Sequence, residues 1–394
     1  MRGISQSPSD ATENVATART DGAGRVEVRP VALPLGLQVQ MFSAFQGDKL
    51  SGESVAAAVL ELAGQSPDAQ EDTSALSEAL TSQGRMHEAE SLLRQALAKG
   101  RAERGSEDAE VLQLQVALAQ LLRSQGRLSD ARRLFLASVD VQRRVLGAHH
   151  ADTLTTLEQL ASLLIEQDDL RFAEPLLCES VALRRTALGD EHPHTLRALS
   201  HLAVLLHKQK RYGQAETLLR RTYTSQRDLL GEGHIDTLTT LGQLARLLEA
   251  MGNVADSEAV YVRVLVKSEA LLGRSHHQTL LAGYHYAGFL YNQGRMNDAR
   301  PYLTRALTMT EHAGDTDVFL AAGLQVRLGE CLLALQLFEA AERHLIAGYD
   351  ILHEALGHTH PRTQRALSDL ISLYEAWGKP RKAAPFRAAH AACS

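Results

Sequence analysis

The chain has 394 residues and a formal net charge of −6, with 44% hydrophobic and 5% aromatic residues. This composition, rich in Leu and Ala, predicts a folded, all-helical protein. The weak negative charge provides no general basic field for nucleic acid or anionic lipid. Three cysteines are too few and too scattered for a disulfide framework or a metal cage, which fits a reducing compartment. No run approaches the roughly 18 apolar residues of a membrane span, and the N-terminus lacks the regions of a secretory signal. We therefore expect a cytoplasmic protein.

The first 66 residues differ in composition from the rest of the chain. Residues 1–50 predict a disordered or extended leader, because residues 1–30 are rich in Ser, Ala, Thr, Gly and Asp. The alternation of apolar residues over 33–39 fits a short strand or an extended segment. Residues 51–66 predict an N-terminal capping helix whose apolar stripe ends at Gly64.

A unit of 42 residues repeats over 68–394. The pattern Leu-Gly-x-x-His-x-x-Thr-Leu marks the boundary between units, and its glycines show the spacing, since 189−147, 231−189 and 273−231 are each 42. The Leu-Gly pair of this boundary returns at Gly357, two periods further on. A fixed period of this size predicts a solenoid of stacked helical units in which each unit contacts its neighbours. The register gives eight units.

Two further positions repeat inside every unit. At the first, five of the eight residues are Gly, which predicts a tight turn between two helices that needs a permissive backbone. At the second, five residues later, every residue is small, which predicts that the two helices of a unit cross there. The turn residues are Gly84, Gly126, Asp168, Lys210, Gly252, Gly294, Gln336 and Gly378. The small residues are Ala89, Ala131, Ala173, Ala215, Ser257, Ala299, Ala341 and Ala383.

The third unit shows the expected helices most clearly. Helix A is predicted from about Asp152 to Gln167 and helix B from about Leu170 to Leu188, because apolar side chains recur three and four residues apart. Leu188 is expected to face inward with the apolar stripe of helix B. Gly189 is expected to be the left-handed residue that ends this helix.

Histidines recur at the unit boundaries, where His192 and His360 are predicted to cap the helix that follows. Clustered histidines also raise the alternative of a zinc site. Equivalent residues of a solenoid, however, lie about one stacking step apart, and no cysteine joins them. We therefore predict structural capping, with no metal and no cofactor. The boundary histidines are His149, His150, His192, His194, His234, His276, His277, His358 and His360.

The motifs of these units resemble a known family. The segment Gln209–Arg221 reads Gln-Lys-Arg-Tyr-Gly-Gln-Ala-Glu-Thr-Leu-Leu-Arg-Arg, which resembles the tetratricopeptide repeat (TPR). The 42-residue period and the boundary motif resemble the kinesin light chain and nephrocystin subgroup. The resemblance implies an all-α, right-handed superhelical solenoid of about eight helix-turn-helix repeats, with helix A lining the concave face. Kinesin light chains carry a heptad coiled coil before their repeats, and residues 1–50 show no sustained heptads.

The outward-turned positions of helix A are the candidate ligand contacts. Their side chains are polar or aromatic and can reach a peptide backbone. We interpret them as a groove for an extended or helical peptide, and the alternative is a solvated polar face. The candidates are Gln159, Arg197, His201, His207, Lys208, Gln243, Arg246, Tyr284, His285, Tyr291, Asn292 and Arg327.

These features predict a non-enzymatic scaffold that binds a protein or peptide partner on its concave face. The alternatives are a regulatory or sensor segment of a larger signalling protein, and a kinesin light chain-like cargo adaptor without the coiled coil. No nucleophile–base pair, carboxylate pair or Gly-rich phosphate loop supports an enzyme. We expect no nucleic-acid partner and favour a monomer.

Overall fold

The computed structural model describes residues 15–20, 26–31, 69–312 and 317–391, with two strands and sixteen helices among them. The strands are β1 (Val15–Thr20) and β2 (Val26–Val31). The first eight helices are α1 (Ala69–Ser82), α2 (Met86–Arg104), α3 (Ala109–Ser124), α4 (Leu128–Val145), α5 (Ala151–Glu166), α6 (Leu170–Leu188), α7 (Pro193–Lys208) and α8 (Tyr212–Leu230). The others are α9 (Ile235–Ala250), α10 (Val254–Leu272), α11 (His277–Asn292), α12 (Met296–His312), α13 (Val318–Ala334), α14 (Phe338–Leu356), α15 (Pro361–Ala376) and α16 (Pro380–Ala391). None of the helices in this described part of the chain combines the length and apolar character that crossing a membrane requires.

The two strands form an antiparallel hairpin within the predicted leader. Val15 pairs with Val31 and Thr20 pairs with Val26. Several β-branched residues favour this extended pairing. The pairing occupies part of the predicted leader, which was expected to be disordered or extended. The strand predicted over 33–39 and the capping helix predicted over 51–66 lie outside the described residues.

The sixteen helices form eight helical hairpins, units one to eight, each with a helix A followed by a helix B. The turn residue has a positive φ in all eight units, including the non-glycine residues Asp168 (59°), Lys210 (61°) and Gln336 (59°). The hydrogen bonds are those of a Schellman turn: in unit two, the N–H of Gly126 donates to the carbonyl of Arg123, and that of Arg127 donates to Leu122. The predicted turn and its register are confirmed.

The boundary glycines end helix B in a different way from the predicted one. Gly189 has φ 89° and ψ 166°, and Gly231 has φ 89° and ψ 165°. We predicted the left-handed helical conformation, but here a positive φ accompanies an extended ψ. That region is open almost only to glycine, so the backbone alone explains the residue type. A Cβ at Gly231 would meet no other atom within 4 Å.

The hydrophobic core follows the predicted stripe of each helix pair. All eight small residues at the predicted crossing, Ala215 among them, are fully buried. Leucines from both helices of each unit fill the space around them, which places the core between the layer of A helices and the layer of B helices. Leu188 was predicted to face inward and is instead 43% exposed, because it lies at the very end of helix B, beyond the packed part of the hairpin.

The solenoid brings its two ends into contact. A Cβ placed on Gly84 in unit one would lie 3.0 Å from Val318 Cγ2 and 3.1 Å from Ala355 Cβ, both in unit seven. A Cβ placed on Gly126 in unit two would lie 2.8 Å from Cδ2 of His360 in unit eight. We call these residues and their immediate neighbours the closure contact. Eight units therefore complete about one turn of the superhelix.

Candidate functional site

The A helices form the inner side of the superhelix. Contacts join consecutive A helices directly, α5 with α7, α7 with α9, α9 with α11, α11 with α13 and α13 with α15. Neighbouring A helices approach each other in this way only if they lie at the smaller radius of the curved stack. The side chains that they turn away from the B helices therefore line the concave face.

One position of helix A forms a ladder along this face. Its residues are 42 positions apart in units three to eight, and five of the six were predicted as ligand contacts. A buried polar atom without a hydrogen-bond partner among the described residues occurs on five of the six, as Gln159 Oε1, His201 Nδ1, Gln243 Oε1, Arg327 Nε and Asp369 Oδ2. We call this set the inner ladder, and its members are Gln159, His201, Gln243, His285, Arg327 and Asp369.

Beside the inner ladder, unit three contains a buried ion pair that the sequence did not reveal. Glu158 Oε1 lies 2.7 Å from Arg184 Nε, and the two side chains are only 5% and 3% exposed. The hydroxyl of Ser180 donates to the same oxygen at 2.6 Å. His201 Nδ1 of unit four lies 3.7 Å from the other carboxylate oxygen. Burial lowers the pKa of His201, and the nearby Glu158 carboxylate only partly offsets this effect.

Units six to eight hold a second cluster on the concave face. The Arg327 guanidinium lies over the rings of Tyr284 and Tyr291, 5.7 and 5.5 Å from their centroids. It also lies 2.8 Å from Glu330, which in turn lies 3.0 Å from Arg365. These charge-assisted contacts order the aromatic side chains and hold Arg327 in a fixed orientation.

Burial also changes the protonation of ladder residues in this region. It raises the pKa of Asp369 to about 6, helped by the negative charge of Glu330. It lowers the pKa of His285 to about 4, helped by Arg246 and Arg327. A neutral imidazole at pH 7 offers one hydrogen-bond donor and one acceptor, so His285 is suited to an uncharged ligand group.

Other predicted contacts are partly engaged within the protein. Arg197 lies 3.0 Å from Asp236, and the Asn292 amide donates to Glu249 at 2.9 Å. The ring of His207 contacts that of Tyr212 at 5.9 Å. Lys208 and Arg246 are exposed. Burial lowers the pKa of His207, and the charges of Arg246 and Lys208 lower it further, which places both cations near this ring.

Three carboxylates, Glu158, Glu330 and Asp369, neutralise part of this face and lie beside or on the inner ladder. They were not among the predicted ligand contacts, although the repeat register indicates this helix face for each of them. Asp369, for example, follows Arg327 by 42 residues. The pairing of Glu158 with Arg184 depends on how helix A and helix B of one unit face each other, which the spacing alone does not specify.

Five of the nine boundary histidines cap helices, and the predicted caps His192 and His360 are among them. In five units the unprotonated Nδ1 accepts a hydrogen bond from the backbone N–H two residues later, so the ring proton lies on Nε2. Asp108 has the same role in unit two. No three His, Cys, Asp or Glu side chains in the described ranges are grouped to hold a metal ion. The capping residues are His150, His192, His234, His276 and His360, with N–Nδ1 distances of 3.3, 3.2, 3.2, 3.2 and 3.1 Å.

Hairpins of equal length with a polar inner surface define an α-helical repeat solenoid. The sequence profile described as "Tetratricopeptide repeat" matches residues 70–136, 110–186 and 194–270. The chain is a tetratricopeptide repeat protein. No sequence match was found among curated proteins.

The chain is similar to several solved structures. A protein of Podosopora anserina, described as a candidate kinesin light chain with nearly identical TPR-like repeats, is 24% identical with a TM-score of 0.45, over 52% of this chain and 96% of that one. BtubC (BKLC) from P. vanneervenii is 19% identical with a TM-score of 0.44, over 61% and 90%. The apo form of the quorum sensor NprR from B. thuringiensis is 12% identical with a TM-score of 0.50, over 90% and 92%. At these identities the likeness concerns the fold alone.

Proposed function

We propose that this protein is a non-enzymatic scaffold that holds an extended segment of a protein partner against the inner ladder. The observation that carries the proposal is the row of buried polar atoms without hydrogen-bond partners on five of the six ladder residues. A buried polar atom without a partner costs about 1–3 kcal/mol, so a row of them at a regular spacing needs a reason. A ligand that supplies those hydrogen bonds is such a reason.

The chemistry of the ladder fits a peptide main chain. The side-chain amides of Gln159 and Gln243 accept from a peptide N–H or donate to a peptide C=O once a small side-chain rotation brings their buried atoms to the groove, and the Arg327 guanidinium donates to a peptide C=O. Consecutive ladder residues come from neighbouring units and therefore follow the groove one after another. An extended chain offers alternating donors and acceptors along its length, which a globular surface does not.

The aromatic and cationic groups beside the ladder supply side-chain contacts. Tyr284 and Tyr291 present flat apolar surface at a position fixed by Arg327. The exposed Lys208 and Arg246 carry charges near His207, whose pKa both lower, and Arg246 also lowers the pKa of His285. In such a site, main-chain hydrogen bonds give general affinity and these side chains select the segment.

Within this role, the 42-residue period and the boundary motif support a relationship to the kinesin light chain-like subgroup. A cargo adaptor without the heavy-chain coiled coil and a sensor segment of a larger signalling protein are both forms of the same binding function. The composition and charge that predicted a cytoplasmic protein support an intracellular protein partner.

The test compares binding between inner and outer variants. Substituting His201, Gln243 and Arg246 together by Ala should weaken the native partner at least tenfold in a quantitative pull-down and leave the helical circular dichroism unchanged. The matched control substitutes Arg220, Arg221 and Arg300, all exposed and on B helices, by Ala. Equal retention of the partner by both variants, or loss only in the outer one, would reject the concave face as the binding surface.

A further inference from the structure

The closure contact is formed by a small group of side chains. Phe319 of unit seven and Leu356 at the end of α14 pack against the core of the N-terminal units. Arg362 of unit eight lies over the Phe319 ring, 5.8 Å from its centroid. The contact therefore joins units one and two to units seven and eight through side chains, without the helix-on-helix stacking that joins consecutive units.

His360 has two functions in this contact. Its Nδ1 accepts from the Arg362 N–H at 3.1 Å and so caps α15. The imidazole is 9% exposed and also hydrogen-bonds to the backbone of Ser124 in unit two. Since Nδ1 is used by the cap, Nε2–H is the group that reaches Ser124. One neutral ring thus connects the start of the last unit to the end of α3.

The fully buried part of the hydrophobic core is divided on the other side of the superhelix, where the partly buried Leu202 packs against both parts. One buried cluster extends from Leu76 to Leu177 and includes one residue of unit four, Leu205. A second begins at Ala203 and continues to Ala383. Between them, Val181 of α6 and three residues in the first half of α7, Leu196, Ala198 and Leu199, form a small separate cluster. We call this junction of units three and four the seam.

A buried ion pair lies at this seam. Glu158 and Arg184 belong to unit three, and His201 of unit four faces their carboxylate. The residues equivalent to Glu158 in units two and four to eight are uncharged, and so are those equivalent to Arg184 in units two and four to seven. Because desolvation offsets much of the attraction in a buried ion pair, such a pair stabilises an interface less than apolar packing of equal volume. The seam is therefore the place where the fully buried apolar core is divided and where a buried carboxylate faces the next unit.

We propose that the superhelix opens at the closure contact and pivots at the seam, so that units one to three move away from units four to eight as two rigid arms. The proposal concerns how a ligand reaches the concave face. It rests on the proposed function only for the identity of that ligand, a segment of a protein partner. A closed turn restricts entry of a chain segment from the side, and release of a few side chains at the closure contact removes that restriction. The opening is a local event whose cost is far below that of unfolding a unit.

The experiment measures distances between spin labels in the full chain without any partner. Cys178 and Cys393 are first replaced by Ser, and buried Cys331 is kept. Labels at Ser129→Cys and Arg381→Cys report across the closure contact. Labels at Ser91→Cys and Arg171→Cys report within the N-terminal arm, and those at Arg221→Cys and Arg343→Cys within the C-terminal arm. The expected wild-type result is a major short distance with a minor longer population across the closure, and one distance within each arm.

Variants then shift this equilibrium. Phe319→Ala with His360→Ala should raise the longer population at least threefold, and Arg362→Ala should raise it less. In the Phe319→Ala/His360→Ala background, Glu158→Leu with Arg184→Met should lower it at least twofold by making the seam apolar. Phe172→Ala, on the 61% exposed side chain of an outer helix, is the matched control and should change nothing.

A single unchanged distance across the closure in all folded variants would overturn the proposal, and so would opening that changes the distances within an arm. Because the distances are measured without a partner, either result decides the proposal independently of the binding experiment. If the arms open as expected but the ladder variants keep their partner, the proposed function fails and the opening remains. Circular dichroism identifies any variant that does not fold. If Phe319→Ala/His360→Ala does not fold, the longer population is measured in Arg362→Ala, which removes only an exposed side chain.

Discussion

The buried ion pair of unit three gives the most specific prediction about stability. In the Arg184→Met variant, Glu158 stays buried and still accepts the hydrogen bond from the Ser180 hydroxyl, but it no longer has a positively charged partner. Leaving a charge unpaired in the interior costs about 3–5 kcal/mol. Replacing both members, as in Glu158→Leu/Arg184→Met, removes the charge as well as its partner. The double variant is therefore expected within about 1 kcal/mol of the wild type, or above it.

The same geometry predicts how the single variant responds to pH. His201 Nδ1 lies 3.7 Å from the free oxygen of Glu158 and can pair with it once protonated. In Arg184→Met the free energy of unfolding should therefore recover as the pH falls from about 7.5 to 6, near the ordinary pKa of histidine. In the wild type, where burial lowers the pKa of His201, no such recovery is expected.

Urea unfolding combined with hydrogen exchange of α5–α8 measures the effect where it arises, since a repeat array need not unfold in one step. Arg220→Met is the control, because Arg220 and Glu216 form an ion pair with side chains 57% and 26% exposed. It should change stability by no more than about 0.5–1 kcal/mol. A double variant as unstable as Arg184→Met, or equal losses for Arg184→Met and Arg220→Met, would refute the reasoning.

Four further predictions concern the repeat itself. Gly231→Val should cost about 1–3 kcal/mol in thermal unfolding through the backbone alone, whereas Gly242→Ala, in open space within α9, should stabilise by up to about 1 kcal/mol. Ala215→Phe at the fully buried crossing should cost about 1–3 kcal/mol or more, and an unchanged melting temperature would contradict the register. His234→Ala removes the cap of α9 and should cost about 1 kcal/mol, with His234→Asn restoring most of it. Because burial holds the pKa of His285 at about 4, the folded state binds fewer protons than the unfolded chain below about pH 6.5. Stability should therefore fall as the pH drops from 6.5 to 4, and a His285→Gln variant should show a flatter profile.

The repeat could be predicted from the sequence because it depends on local chemistry. The positive φ of Lys210 follows from its register with the turn glycines, although Lys itself gives no such signal. The caps follow from histidines placed just before helix A. The ψ of Gly189 could not be predicted, because a positive φ serves both the left-handed helical and the extended conformation. Leu188 was misplaced because helical periodicity does not show where packing stops.

The features that depend on the whole superhelix could not be predicted. The closure contact joins Gly126 to His360 because small rotations between eight consecutive units add up to about one turn. No local sequence pattern indicates the total of these rotations. The Glu158–Arg184 pair likewise depends on which sides of helix A and helix B face each other within unit three. The inner ladder lies between these cases, since the 42-residue spacing indicates its six positions and the structure added the buried polar atoms without hydrogen-bond partners.

The concave face as the binding surface is tested most directly by photo-crosslinking in cells. The amino acid p-benzoylphenylalanine is placed at Gln243 on the inner ladder or at Phe172, which is 61% exposed on an outer helix. If the segment of the partner lies in the groove, irradiation links the same partner to the Gln243 variant and not to the Phe172 variant. A partner captured only from Phe172, or equally from both, would contradict the account.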